Sequence, residues 1–168
     1  MIFMKKMDSV LGNIVLCQSG DALCALRIGE DSLPFSSVEM RDTPLLLKAQ
    51  AQLTAYFAGA RRAFDLPLCL QGTPFQQSVW QALQDIPYGE VCTYGDIARK
   101  IGRPKACRAV GMAIHTNPLP IIVPCHRVIS AGNRLGGYAY GIETKQKLLY
   151  LEDSALFRHV KLTNPTAK

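Results

Sequence analysis

The stretch Thr93–Asn117, TYGDIARKIGRPKACRAVGMAIHTN, decides the fold of the second half of the chain. Thr93 and Asp96 stand at capping-box spacing, with Asp in place of Glu or Gln, so a helix is expected to begin there. It runs to Ile101, Gly102 breaks it, and a second helix is expected to start near Pro104. Two helices joined by such a turn form a helix–turn–helix. In the second helix Ala106, Val110, Ala113 and Ile114 fall at i, i+4, i+7 and i+8 and predict a buried stripe. Arg108, Gly111, Met112 and His115 fall on the opposite face. A helix with so little side chain outward can approach another surface closely.

Charge adds to this. Residues 1–72 hold seven Lys/Arg and seven Asp/Glu, whereas residues 73–168 hold twelve and six, so the whole net charge of +6 lies in the second half. Arg99, Lys100, Arg103, Lys105 and Arg108 fall within ten residues that contain no acid. Such a run is either a solvated helix face or a footprint for phosphates.

Working outward, PFQQSVWQALQDI from Pro74 predicts a helix with Phe75, Val79, Leu83 and Ile86 on one stripe, ended by Pro87-Tyr88-Gly89. ETKQKLLYLED predicts a last helix. Gly72-Thr73-Pro74 marks a domain boundary, and residues 154–168 read as a weakly patterned tail. The first half reads as α+β. Two strands in GNIVLCQSGDALCALRIG are joined by a turn at Ser19-Gly20-Asp21, and DTPLLLKAQAQLTAYFAGA is a helix capped by Asp42 or Thr43. That helix buries Leu46, Ala49, Leu53 and Phe57 and is closed by Gly59. AFDLPLCL reads as a short or edge strand because of Pro67.

Composition excludes several classes. Of the 168 residues 48% are hydrophobic, enough for a packed core, yet no apolar run reaches the ~20 residues that span a bilayer. Asp8, Gly12 and Asn13 interrupt any signal-peptide core, so a cytoplasmic protein is expected. The six cysteines, at 17, 24, 69, 92, 107 and 125, are scattered and fit reduced thiols better than disulfides. With no Cys-x-x-Cys and only His115, His126 and His159, no metal site is expected.

The sharpest chemistry lies in Pro120–Ile129, PIIVPCHRVI. A free thiol is mostly protonated at neutral pH, and apolar surroundings make it more so, which would leave Cys125 an inert core residue. A reactive Cys125 needs a base. His126 is adjacent in sequence, but neighbours on a strand or helix point apart, so contact requires a turn or a bridging water. Pro118, Pro120 and Pro124 restrict the backbone into such a mount. An orienting acceptor for the histidine is also required, and Glu152 at the end of the last helix is a candidate.

IVPCHRVI preceded by NPLP, together with RAVG, TPFQQSVWQAL, IPYGEV and LLYLE, resembles the O6-alkylguanine-DNA alkyltransferase family. The likeness runs from Gly72 to Glu152 with the motifs in order, and more loosely through YFAG in residues 1–71. It implies a ribonuclease-H-like α/β domain over 1–71 and a helical domain over 72–153 with a winged-helix-like helix–turn–helix. It also implies binding to double-stranded DNA through the minor groove, with the alkylated guanine rotated out of the stack. Cys125 would accept the alkyl group once, irreversibly, without cofactor. His126 would act through water, oriented by Glu152, and Asn117 would brace the turn. Arg108 would fill the space left by the flipped base, Tyr94 would hydrogen-bond the guanine, and Tyr138 would wall the pocket. The backbone at Cys125, Val128 and Ala139 would read the guanine edge. Gly111 and Cys107 would lie at the DNA surface. A monomer in solution is expected, with cooperativity on DNA and activity on O4-alkylthymine left open.

Four positions depart from the family pattern. Tyr140 stands where glycine is more usual and is expected to narrow the pocket, slowing repair of benzyl relative to methyl adducts. Ala139 lacks a hydroxyl often found there, Cys107 replaces an alanine, and His115 occupies a variable site within reach of phosphate. Three rivals remain: a lesion binder without transfer, a sequence-reading regulator and a cysteine hydrolase. Cys125 argues against the first, the shortage of base-edge donors apart from Arg108 against the second, and the lack of an oxyanion-site signal against the third.

Overall fold

A computed structural model describes residues 1–29, 32–153 and 155. The chain divides into two compact units, Met1–Gln71 and Gly72–Lys168. The tail expected over 154–168 lies, apart from Ala155, outside the described residues. Among the described residues no helix is long and apolar enough to cross a membrane.

The first unit is a four-stranded sheet with one helix. Strands β1 (Ile2–Ser9), β2 (Gly12–Ser19), β3 (Ala22–Ile28) and β4 (Val38–Met40) lie in the order β3-β2-β1-β4. The expected β2–β3 hairpin is present, but β1 is a strand that hydropathy did not signal. Lys5 and Lys6 break its pattern, and its pairing with β2, from Ile2↔Ser19 to Ser9↔Gly12, is what holds it. Helix α1 (Pro44–Phe57) is capped by Thr43, whose hydroxyl accepts from the Leu46 N–H at 3.1 Å. Leu46, Ala49 and Leu53 are buried as expected, and Tyr56 rather than Phe57 completes the stripe. AFDLPLCL forms only one bridge, Leu23↔Leu68. Proline at 67 has no N–H to extend the ladder, and the chain leaves after two bonds.

The second unit carries α2 (Pro74–Gln84), β5 (Cys92–Thr93), α3 (Tyr94–Lys100), α4 (Cys107–His115), β6 (Val128–Ile129) and α5 (Ile142–Glu152). The Thr93–Asp96 capping box forms, and Gly102 takes a φ of 75° that ends the first helix of the pair. α4 starts at Cys107, later than Pro104, because Arg103–Ala106 closes as a turn through the Ala106 N–H and the Arg103 carbonyl. Val110, Ala113 and Ile114 are buried, while Ala106 is only half-buried at the cap. Val79 and Leu83 on α2 and Ile86 just beyond it are buried, and Phe75 is half-exposed. Trp80, buried beside them, donates its indole N–H to the Ala113 carbonyl at 2.8 Å and ties α2 to α4.

One short pairing positions the chemistry. β5 and β6 run parallel, with Cys92 opposite Val128 and Thr93 opposite Ile129. Tyr94 begins α3 directly after β5, and Cys125–Arg127 form a single 3-10 turn directly before β6. Tyr94 thus leaves this pair at one end and the turn carrying Cys125 enters it at the other, with only two residues of strand between them.

Candidate active site

The segment leading to Cys125 is rigid for identifiable reasons. Asn117 is buried, its amide donating to the Val123 carbonyl at 2.9 Å while its carbonyl accepts from the Leu119 N–H at 3.0 Å. Both ends of a six-residue loop are thus held by one side chain. Ile121 within it has a φ of 74°, a left-handed conformation that a β-branched residue adopts only when its surroundings enforce it. The 3-10 turn that follows separates the Cys125 and His126 side chains from the alternation a strand would impose.

Cys125 lies at the base of a cavity of about 510 Å³. Tyr94, Gly111, Tyr138 and Ala139 line it, with Met112, Ile114, His115 and Gly137. A Cβ added at Gly111 would sit 4.0 Å from the Tyr94 ring, so the glycine keeps this wall of α4 thin where the ring lies. Burial pushes the Cys125 thiol above its ordinary pKa, opposed by Asn117, Lys145 and Tyr138. Tyr94 is also raised, first by burial and then by Cys125. The resting thiol is therefore protonated at neutral pH.

Behind Cys125 stands a buried ionic cluster. His126 Nε2 lies 2.7 Å from Glu152 Oε1, and both side chains are fully buried. Arg127 Nη2 donates to the same oxygen at 2.9 Å and Arg127 Nε to Oε2 at 2.9 Å, a two-point fork. Arg127 Nη1 donates to the Ile86 carbonyl at 2.7 Å. Burial alone would raise the Glu152 carboxyl, but His126 and Arg127 hold it well below the usual carboxylate range. Burial lowers the His126 pKa, against the pull of Glu152 and with the help of Arg127 and Lys145, so its ring is neutral at pH 7. With the Nε2 hydrogen directed at Glu152, Nδ1 carries the free lone pair, and it is buried with no hydrogen-bond partner among the described residues.

Lys145 closes the arrangement from α5. It is fully buried and donates to the Val128 carbonyl at 2.6 Å and the Gly137 carbonyl at 3.0 Å. Burial brings its pKa down to about 8, so it remains cationic at neutral pH. The Val128 carbonyl, assigned above to guanine, is thus already occupied on one side.

The remaining expected residues stand elsewhere. Arg108 and Cys107 are exposed on the first turn of α4 and do not line the cavity. Tyr140 does not line it either. Its ring packs at 6.0 Å from that of Tyr138, which does line the cavity.

Such a site can activate a protonated thiol toward an electrophile held in the cavity. Residues 74–154 match the model of the 6-O-methylguanine DNA methyltransferase DNA binding domain, and residues 2–70 match that of its ribonuclease-like domain. The chain belongs to the 6-O-methylguanine DNA methyltransferase family. A methylated-DNA–protein-cysteine methyltransferase of Methanosarcina acetivorans is 46% identical over 149 residues, covering 88% of this chain and 96% of that protein. One from Mycobacterium bovis is 48% identical over 155 residues, covering 92% and 94%. The crystal structure of Mycobacterium tuberculosis OGT in complex with DNA superimposes with a TM-score of 0.85 at 47% identity, covering 90% and 93%.

Within this methyltransferase-family site, the buried charges Arg127 and Lys145 escaped the sequence reading, whereas Met112, expected on the outward face of its helix, lines the cavity. A signal existed for Lys145. Lys145, Leu148, Leu149 and Glu152 fall at i, i+3, i+4 and i+7 on α5, so the apolar pair predicts that both charges face inward.

Proposed function

We propose that this protein repairs O6-alkylguanine in double-stranded DNA by transferring the alkyl group to Cys125, once per molecule. The observation that supports this best is that Cys125 lines an open cavity while the next residue, His126, is buried against Glu152.

The exposed basic helix pair, from Arg99 to Arg108, meets the duplex at its minor groove. The alkylated guanine turns into the cavity and Arg108 takes its place in the stack. Tyr94 hydrogen-bonds the base, Tyr138 walls it, and the backbone at Cys125, Val128 and Ala139 meets its polar edge. Gly111 allows close approach of α4, and Cys107 and His115 lie within reach of the DNA. Asn117 holds the loop that carries Cys125.

The thiol proton passes to His126 Nδ1, through a water, while Glu152 fixes the ring. The thiolate attacks the alkyl carbon in line. An S–C bond forms, the C–O6 bond breaks, and the departing guanine takes up a proton. The thioether product does not hydrolyse, so the site is spent, and the displacement calls for no metal or soluble cofactor. The protein works as a cytoplasmic monomer.

The test is to incubate the protein with a duplex containing O6-methylguanine and weigh the Cys125 peptide. A gain of one methyl is expected. An unmodified peptide with tight lesion binding would overturn transfer in favour of a non-enzymatic lesion binder.

A further inference from the structure

A carboxylate offers about four lone-pair positions, and both oxygens of Glu152 are engaged. Oε1 takes both His126 Nε2 and Arg127 Nη2, while Oε2 takes Arg127 Nε and faces the Gly89 N–H at 3.5 Å. The guanidinium has no freedom to leave. Its third nitrogen is bound to the Ile86 carbonyl, and it lies over the Tyr88 ring at 5.7 Å. Its side chain is 8% exposed and that of Glu152 is 0%. In this dry setting the fixed Arg127 cation balances Glu152, and the cluster is neutral when His126 is neutral.

Without that cation the cluster would carry one uncompensated negative charge, and the nearest group able to cancel it by binding a proton is His126. The histidine would then be occupied before the thiol had released anything. Facing His126 are Glu152 and Lys145 from α5, together with Arg127 from its own turn, and Cys125 precedes it in the chain. Tyr138 faces Cys125, and the segment at 86–89 contributes the Tyr88 ring. Lys145 opposes a proton on His126 as Arg127 does, but its hydrogen bonds go to carbonyls and none reaches Glu152.

We propose that Arg127 is a positioning residue that neutralises Glu152, so that Glu152 orients His126 without protonating it and leaves Nδ1 open to the thiol proton. This inference rests on the transfer reaction set out above.

The test compares full-length wild-type protein with Arg127→Gln and Arg127→Lys. Histidine-labelled free protein is titrated by NMR from about pH 5 to about pH 9. The single-turnover rate of methyl transfer from an O6-methylguanine duplex is followed over the same range. In Arg127→Gln the His126 titration and the acid limb of the rate profile are both expected to rise by about one pH unit or more. Transfer would then be about tenfold slower on the acid side, with the rate recovered at alkaline pH. Arg127→Lys keeps the charge but cannot span both oxygens, so an upward shift of smaller size is expected. If Arg127→Gln does not fold, the Arg127→Lys shift alone decides. An unmoved His126 titration, with a rate lowered equally at every pH, overturns the proposal and leaves Arg127 a purely structural brace. Failure of the transfer reading shows separately, as wild-type protein whose Cys125 gains no methyl, while the histidine titration is read without DNA.

Discussion

Cys17 in the sheet unit and Cys125 in the helical unit are both buried thiols whose pKa burial has raised, yet they are chemically different places. Cys17 sits on β2 beside Val15 and Ala25, pushed up to about 12 by burial and by Cys24, with only Arg27 pulling the other way. Cys125 opens onto a cavity and is opposed in its burial by Asn117, Lys145 and Tyr138, with a neutral histidine next in the chain. Burial makes a thiol inert in both. Only Cys125 has fixed polar groups, Asn117, Lys145 and Tyr138, that oppose the effect of burial from beside an open cavity, which is what the proposed transfer requires.

The largest expected difference between these thiols is in transfer itself. Cys125→Ser should take up no methyl from an O6-methylguanine duplex, whereas Cys17→Ala should label to completion; intact-mass measurement reads both. A methylated Cys125→Ser protein would break the comparison.

The next effect is on stability and tests the ionic cluster. Glu152→Gln leaves Arg127 buried without its counter-charge and should cost about 3–5 kcal/mol at neutral pH in denaturant unfolding. The Glu152 carboxyl is held below its unfolded value of about 4.3, so its contribution is complete above that pH and is lost as pH falls through the folded value. The gap between wild type and Glu152→Gln should therefore narrow in acid. A gap that widens on acidification would contradict the assignment.

Lys145→Met should cost less, about 2–4 kcal/mol, chiefly because the Val128 and Gly137 carbonyls lose their donor. Chemical denaturation measures this, and a neutral result would mean that the cation serves only the thiol. The smallest effect is expected at Tyr140. Because its ring packs on Tyr138 and it is not among the lining residues, Tyr140→Gly should alter the benzyl-to-methyl rate ratio by less than about tenfold. A larger change on matched oligonucleotides would show that the ring enters the cavity.

How far the sequence reached differs between the elements. The helix pair around Gly102 was legible because caps, glycine breaks and 3.6-residue periodicity are local properties. The candidacy of Cys125, His126 and Glu152 was legible from residue chemistry and from the family likeness. β1 was not, because Lys5 and Lys6 hide a strand whose evidence is its pairing with β2. Arg127 was passed over because an arginine after a histidine carries no local sign of having a carboxylate 25 positions away. Tyr140 was placed in the pocket because proximity in sequence to Tyr138 and Ala139 does not state which way a ring turns.

By itself the sequence determined the helix–turn–helix, the basic second half and the proline-bounded setting of Cys125, since each follows from composition or from spacing within one element, whereas Cys125 stood out as the reacting thiol through the family likeness. Tertiary structure alone decided that Glu152 is shared between His126 and Arg127, that Lys145 is buried against the Val128 and Gly137 carbonyls, and that Tyr140 packs on Tyr138. Those facts depend on side-chain direction and on charges brought together from distant segments, and burial sets their strength only once the chain has closed around them.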